Sequence, residues 1–346
     1  MQSSLRGFAQ YAHFSTEENS HFAKSSLFGV SHMKTLNLRD VIPPTIVATK
    51  KQNEYLLEVD ERKDHYYVHY QTDIYNRTGL VGKRTYEQLV PKEIILNAPT
   101  MEILGILQGE MSKTDRGVST IANSETSIMK KVIDWFENHK LAHRNEWNWY
   151  LRFNIPEPDP LVAADLRQAI VPFWISACEL EPSKQYKKVL TWTPHTKNHL
   201  MANKGTLMIE KGNRIFALVV QRLVATITNS MPKSNKEQIV PFLKGILAAE
   251  SCINYKLSTG HRRVFVTACY DTERAIFRKG FHAIGITTKD CKPIKDIVIS
   301  GRDNLLRMHE LRLMTLHPNK YEKFLEMVNS YTGWWHEKRS QRRDGN

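Results

Sequence analysis

The chain has 346 residues, 41% hydrophobic and 25% charged, the balance of a folded protein with room for two to three domain-sized units. Lys and Arg number 49 against 36 Asp and Glu, a formal charge of +13 that suits a polyanionic partner, nucleic acid first. Cys178, Cys252, Cys269 and Cys291 show neither CxxC nor Cys/His spacing, which excludes a zinc ribbon or a disulfide framework and fits reduced thiols inside a cell. No apolar run reads as long enough to cross a membrane.

Residues 1 to about 45 are polar and aperiodic, end at Pro43-Pro44, and read as a loosely ordered extension. The first sixteen lack acids and carry several serines, but Arg6 is their sole arginine, too little to assign an organelle. Alternation at Tyr55–Val59 and His65–Tyr70 predicts two strands. Arg77-Thr78-Gly79 and Gly82-Lys83-Arg84 read as turns or a basic loop. Residues 1–95 are therefore an extension with a small appended region.

A first unit spans 96–230. Asn97 and Pro99 open a helix that runs to Glu110. A short hairpin turning near Asp115-Arg116-Gly117 follows, and then a helix from Glu125 to about Lys140 on the spacing of Ile128, Val132, Ile133 and Phe136. Tyr150–Ile155 alternates as a strand, with Leu151, Phe153 and Ile155 inward and Tyr150, Arg152 and Asn154 outward. Residues 156–204 look like an insertion, opening on Pro156-Glu157-Pro158-Asp159-Pro160 and containing a helix near Ala163–Ala177. A strand at Thr206–Glu210 and an apolar helix at Arg214–Thr226 close the unit.

A second unit spans 231–332. Ser234–Glu237 reads as a capping box, with Pro241 marking where the well-packed part of the next helix begins. After Glu250 comes a hairpin through Thr259-Gly260, then a helix from Glu273 to Ala283 ending at Gly285. A strand at Asp296–Ser300, a helix from Asp303 to Met314 and a last helix to Tyr331 complete it, and 333–346 is a basic tail.

Two segments stand out within these units: Ile103-Leu104-Gly105-Ile106-Leu107-Gln108-Gly109-Glu110 and Phe242-Leu243-Lys244-Gly245-Ile246-Leu247-Ala248-Ala249-Glu250. In each, two small residues four apart share a helix face, which lets two backbones approach closely, and a glutamate follows at once. Carboxylates at a helix C-terminus oppose its dipole, and two together repel unless a proton or metal lies between them. One such glutamate means little. The same placement twice suggests a site for a hard cation bound through oxygen.

These segments resemble the paired signature helices of the LAGLIDADG homing endonucleases, with Glu110 and Glu250 at the acidic eighth position and Gly105 and Gly245 at the third. Met111 and Ser251 stand where a glycine is usual, and Lys244 is foreign to the second helix. The resemblance implies an α+β fold of two pseudosymmetric αββαββα-like halves with saddle-shaped antiparallel sheets. It implies a monomer cutting double-stranded DNA at a long asymmetric site, inside the cell wherever that DNA lies, as intron-encoded or mobile elements do. It further implies Glu110 and Glu250 as ligands of Mg²⁺, or of Mn²⁺ or Ca²⁺ at the same place, with the carbonyls of Gln108 and Ala248 as helpers. Mg²⁺ fits because it accepts few carboxylates and keeps water and phosphate as its other ligands. The family places a basic residue near each metal, for which Arg302 and Lys211 are the candidates.

Sequence would be read by outward strand residues in the major groove, where Arg bridges guanine and Asn pairs with adenine. The candidates are Asn254, Lys256, Arg262 and Arg263 in the second unit, and Lys113, Arg116, Arg152 and Asn154 in the first. The alternative function is a cleavage-inactive protein of the same fold, either a maturase on structured intron RNA or a DNA-binding regulator.

Overall fold

The computed structural model describes residues 35–47, 53–76, 79–112, 117–193, 205–291 and 296–343. Lys113 and Arg116, like the first 34 residues and the expected turn at Arg77-Thr78, lie outside the described set. Strands are β1 Thr35–Asn37, β2 Thr45–Val47, β3 Glu54–Leu56, β4 Glu58–Glu61, β5 His65–Asn76, β6 Gly79–Pro91 and β7 Glu93–Ile95 in the N-terminal region. The first half then runs α1 Ala98–Glu110, β8 Ser119–Asn123, α2 Thr126–Asn138, β9 Asn148–Phe153, α3 Pro160–Cys178, β10 Gln185–Trp192, β11 Thr206–Lys211 and α4 Arg214–Ser230. The second runs α5 Lys236–Glu250, β12 Ser251–Lys256, β13 His261–Thr267, α6 Asp271–Ala283, β14 Lys289–Cys291, β15 Asp296–Ser300, α7 Arg302–Glu310 and α8 Pro318–Arg343.

The two halves repeat one plan, an α+β unit with a four-stranded sheet. The second sheet has the order β12-β13-β15-β14 and is antiparallel throughout. The first has the order β10-β9-β11-β8, with β10 added in parallel to β9 at one edge. Beyond β8, among the described residues, the counterpart of β12 is a bridge between Met111 and Ile121 and a hydrogen bond from Ser112 N–H to Thr120 O. The repeat extends to single bonds. Leu141 N–H bonds Phe136 O at 3.0 Å after α2, and Ile286 N–H bonds Phe281 O at 2.9 Å after α6, each closing a helix through a left-handed residue. That residue is Gly285 (φ 86°) in the second half and Lys140 (φ 55°) in the first.

α1 and α5 cross at their glycines. A Cβ on Gly105 would meet Phe242 O at 2.1 Å, and one on Gly245 would meet Glu102 O at 2.1 Å, so no side chain fits between the backbones. Lys244, the unexpected charge in this apolar helix, donates to Glu102 of α1 at 2.7 Å and so closes the same interface with an ion pair. The caps match as well. Asn97 accepts from Thr100 N–H and Asn235 from Gln238 N–H; the second cap is therefore Asn235, one residue beyond the predicted Ser234. α5 runs unbroken through Pro241 to Glu250.

Several expectations change. Residues 35–47 are docked, with Leu36, Leu38, Val41, Ile42 and Ile46 buried, because β1 pairs with β7 just ahead of α1. Gly82-Lys83-Arg84 is strand, the middle of a long ribbon in which β5 pairs with β6 from His65–Pro91 to Asn76–Gly79. α8 continues to Arg343 through the expected tail. Among the described residues, two helices do have the length and mean hydropathy to cross a membrane: α3, and the stretch Arg214–Lys233 that contains α4. More than half of the latter's apolar stretch is buried in the core, whereas α3 is mostly exposed.

Gly245→Ala should destabilise the protein by about 1–3 kcal/mol or more in chemical denaturation, the range for overpacking a tight contact. Gly82→Ala, which meets nothing within 4 Å, should leave stability unchanged or slightly raised. Equal effects of the two would contradict the backbone-to-backbone crossing.

Candidate functional site

The helix crossing determines what its C-terminal end displays. Both helices end on their glutamate, and the next residue caps them, Met111 N–H bonding Leu107 O and Ser251 N–H bonding Leu247 O. Glu250 then lies against α1: a Cβ on Gly109 would come within 3.1 Å of Glu250 Oε1. Small residues are thus needed at two levels, to let the helices touch and to leave room for the carboxylate.

Glu110 is half-buried and accepts from Asn123 Nδ2 at 2.6 Å. Burial and then the neighbouring charge of Glu250 push its carboxyl up to about 7, against the opposing pull of Asn123, Lys320 and Arg152. Placing the Glu110 charge here therefore costs energy, first through burial and then through Glu250.

One cation is already close. Lys320, near the start of α8, donates to Ala248 O at 2.7 Å and to Ala249 O at 3.2 Å, capping the α5 carbonyls. Burial lowers it to about 8 although Glu110 and Glu250 favour its charged form. Its neighbour Asn319 donates to Glu125 Oε1 at 2.7 Å, so the start of α8 joins the second half to the N-cap of α2 in the first. The Ala248 carbonyl, expected to help hold a metal, is thus occupied by an ammonium. That carbonyl is open to another cation only if Lys320 withdraws.

The other candidates divide. Arg152 is on the outward face of β9, its charge acts on Glu110, and its Nε–H is buried without a hydrogen-bond partner among the described residues. Asn154 sits half-buried just past the end of that strand. Asn254 and Arg263 are directly opposite each other across β12 and β13 and both exposed, with Lys256 exposed opposite His261. This row begins four residues after Glu250. Arg262 points the other way: it donates to Ser330 Oγ at 2.8 Å and stacks on the Tyr331 ring, pinning α8 to the back of the sheet. Adjacent strand residues face opposite sides, so Arg262 and Arg263 do not share the outward face.

Lys211 is buried, paired with Glu146 and packed on the Phe216 ring, on the core side of β11. The strand ends one residue later than predicted, and alternation turns Lys211 inward. Arg302 is exposed at the first turn of α7. The side chain of Gln108 is buried between helices, accepting from Thr228 at 3.0 Å and donating to Glu273 at 2.9 Å. Sequence reasoning missed Lys320 and Asn123. Asn123 lies two residues before the α2 N-cap and its role depends on the hairpin folding back on Glu110; Lys320 is far from Glu250 in the chain and reaches the site only through the packing of α8.

Because folding raises the Glu110 pKa, ionising this group opposes folding, and its penalty is absent below pH 4.5 and grows as pH rises through about 7. Glu110→Gln should therefore be more stable than the parent by on the order of 3 kcal/mol at pH 8.5, with the difference vanishing near pH 4, in denaturation series across pH. A constant difference would contradict the carboxylate pairing. Lys320→Met should move the Glu110 titration, followed by carboxyl ¹³C NMR, still higher; an unmoved curve would show that the ammonium does not act on it.

No protein-family model matches the chain, and no curated protein matches it. Among solved structures, it is similar to the N-terminal LAGLIDADG domain of DUF199/WhiA, at 8% identity over 67% of this chain and 83% of that one, with a TM-score of 0.32. It is similar to I-DmoI in complex with DNA and Mn, at 13% identity over 64% and 98%, TM-score 0.30. It also matches mesophilic variants from the homing endonuclease I-DmoI, at 11% identity over 64% and 93%, TM-score 0.35.

Proposed function

We propose that the protein is a metal-dependent, site-specific endonuclease of double-stranded DNA. The observation that carries this reading is the convergence of Glu110 and Glu250 across a glycine crossing that brings their carboxylates close enough for one to disturb the other's charge. A protein that only needed a folded core would gain nothing from two acids at opposed helix ends. Arg152 beside Glu110, and the exposed Asn254, Lys256 and Arg263 running out from Glu250, add donors of the kind that bind phosphates and base edges.

In this reading Glu110 and Glu250 hold one or more Mg²⁺ ions, which supply an acidified water and charge stabilisation at the scissile phosphate. Arg152 offers its unpartnered N–H to a phosphate oxygen, and Asn123 holds the Glu110 carboxylate in place. Lys320 has two positions of use: on the α5 carbonyls, or turned toward the phosphate once the carboxylates are neutralised. Two halves in one chain, with unequal hairpins and an added strand only in the first, read an asymmetric site as a monomer.

One observation favours a second reading. Lys320 already caps the carbonyl expected to help with a metal, as in a protein that keeps the fold for binding DNA or structured RNA without cutting.

The test is incubation with DNA flanking the gene, or a randomised duplex library, plus Mg²⁺. Discrete cuts are expected, with cleavage falling by on the order of a hundredfold or more in Glu110→Gln or Glu250→Gln while binding persists. Binding without cuts, unchanged by either substitution, would replace this reading with the second.

A further inference from the structure

The ribbon of β5 and β6 is the feature that the helix pair does not explain. Its base is anchored in the first half: Tyr66, Val68, Tyr70 and Val90 are buried, Gln88 donates to Leu141 O at 3.0 Å, and Asn213 donates to Glu87 O at 2.8 Å. Beyond the Tyr70–Tyr86 pair it projects with both faces open, and Ile74, Tyr75, Leu80 and Val81 are 42–68% exposed. A two-stranded ribbon is barely stable alone and its open edges invite association, so such a projection needs a use.

One face carries an ordered stack. Tyr55 lies 5.7 Å from Tyr70, Tyr70 stacks on Tyr86 at 5.0 Å with planes 9° apart, and the Arg84 guanidinium sits 4.9 Å above Tyr86. Arg84, opposite Thr72, is one step further toward the tip on that face, while Lys83, opposite Asp73, is on the other. A guanidinium held over an aromatic ring has fewer positions to lose when it binds an anion or a base edge.

The ribbon's position matters as much as its composition. In the second half Ser251 pairs with Val266, fifteen residues on, and six residue pairs form the ladder. In the first half Met111 pairs with Ile121, only ten residues on, and among the described residues that bridge is the ladder. The returning arm of this short hairpin meets Arg214 at Gly117 (a Cβ there would lie 3.3 Å from the Arg214 Cβ), and Arg214 in turn lies close enough to influence Tyr70. The ribbon thus rises beside the half whose hairpin pairs residues closer together in the chain.

We infer that the β5–β6 ribbon is the outer nucleic-acid contact of the first half, entering the major groove of the duplex that flanks the central site. The inference rests on the DNA-binding reading above. A B-form major groove admits a two-stranded ribbon; Arg84 and Lys83 meet guanine edges or phosphates, and the exposed Ile74, Tyr75, Leu80 and Val81 meet thymine methyls.

The test uses the full chain and a duplex of mixed sequence, about 50 base pairs long, followed by fluorescence anisotropy across a salt series. The double variant Lys83→Ala/Arg84→Ala should bind roughly tenfold or more weakly, with a salt dependence lower by about two. Thermal melting should be unchanged, since both side chains are exposed. The comparison variant is Lys256→Ala/Arg263→Ala on the second sheet. If only this one weakens binding, the ribbon inference is overturned and the DNA-binding reading stands. If the parent chain does not bind the duplex, that reading falls and the inference falls with it. If Leu80→Asp converts a dimeric parent to a monomer in light scattering, the ribbon is a self-association surface and the inference is overturned.

Discussion

The structure depends on a contact with no side chains in it. Where α1 crosses α5, Gly105 and Gly245 bring the two backbones together, and any larger residue would strike a carbonyl oxygen. Most helix pairs are held apart by interdigitating side chains, with axes about 8–10 Å apart. Here the close approach sets both helix ends at one level, so two glutamates far apart in sequence arrive together. Dispersion between close backbones and the Lys244–Glu102 ion pair offset the repulsion created at the glutamate end.

That repulsion is local and directional. Glu110 is pushed toward protonation by burial and by Glu250, while Asn123, Arg152 and Lys320 pull the other way without cancelling it. The surrounding elements are arranged around this imbalance. The hairpin brings Asn123 over Glu110, β9 presents Arg152, and α8 delivers Lys320 under the α5 carbonyls while Asn319 ties its start to the other half. In the proposed function, a divalent ion and a phosphate complete the charge balance that the protein leaves open.

Much of the fold was legible because its signals are local. The cap residue Asn97, the glycine positions and the alternation in β9 and β13 each declare an element within a few residues. What was not legible depended on partners far away. Lys211 and Arg262 look like surface cations, yet strand register turned one into the core and the other onto α8, because a shift of one residue exchanges the faces. Lys320 sits in an ordinary helical stretch with nothing local to mark it. The Gly82-Lys83-Arg84 segment has the composition of a turn, but pairing with β5 draws it into a strand. At Lys140 a lysine holds the left-handed position that Gly285 holds in the second half, which hides the repeat from a reading that looks for glycine.

The central claim is that the two carboxylates share one cation-binding position. Its most direct test is anomalous diffraction from crystals of the full chain grown with Mn²⁺. The account predicts a manganese peak in contact with carboxylate oxygens of both Glu110 and Glu250. A site occupied only by the Lys320 ammonium, or carboxylates turned away from each other with no shared peak, would contradict it.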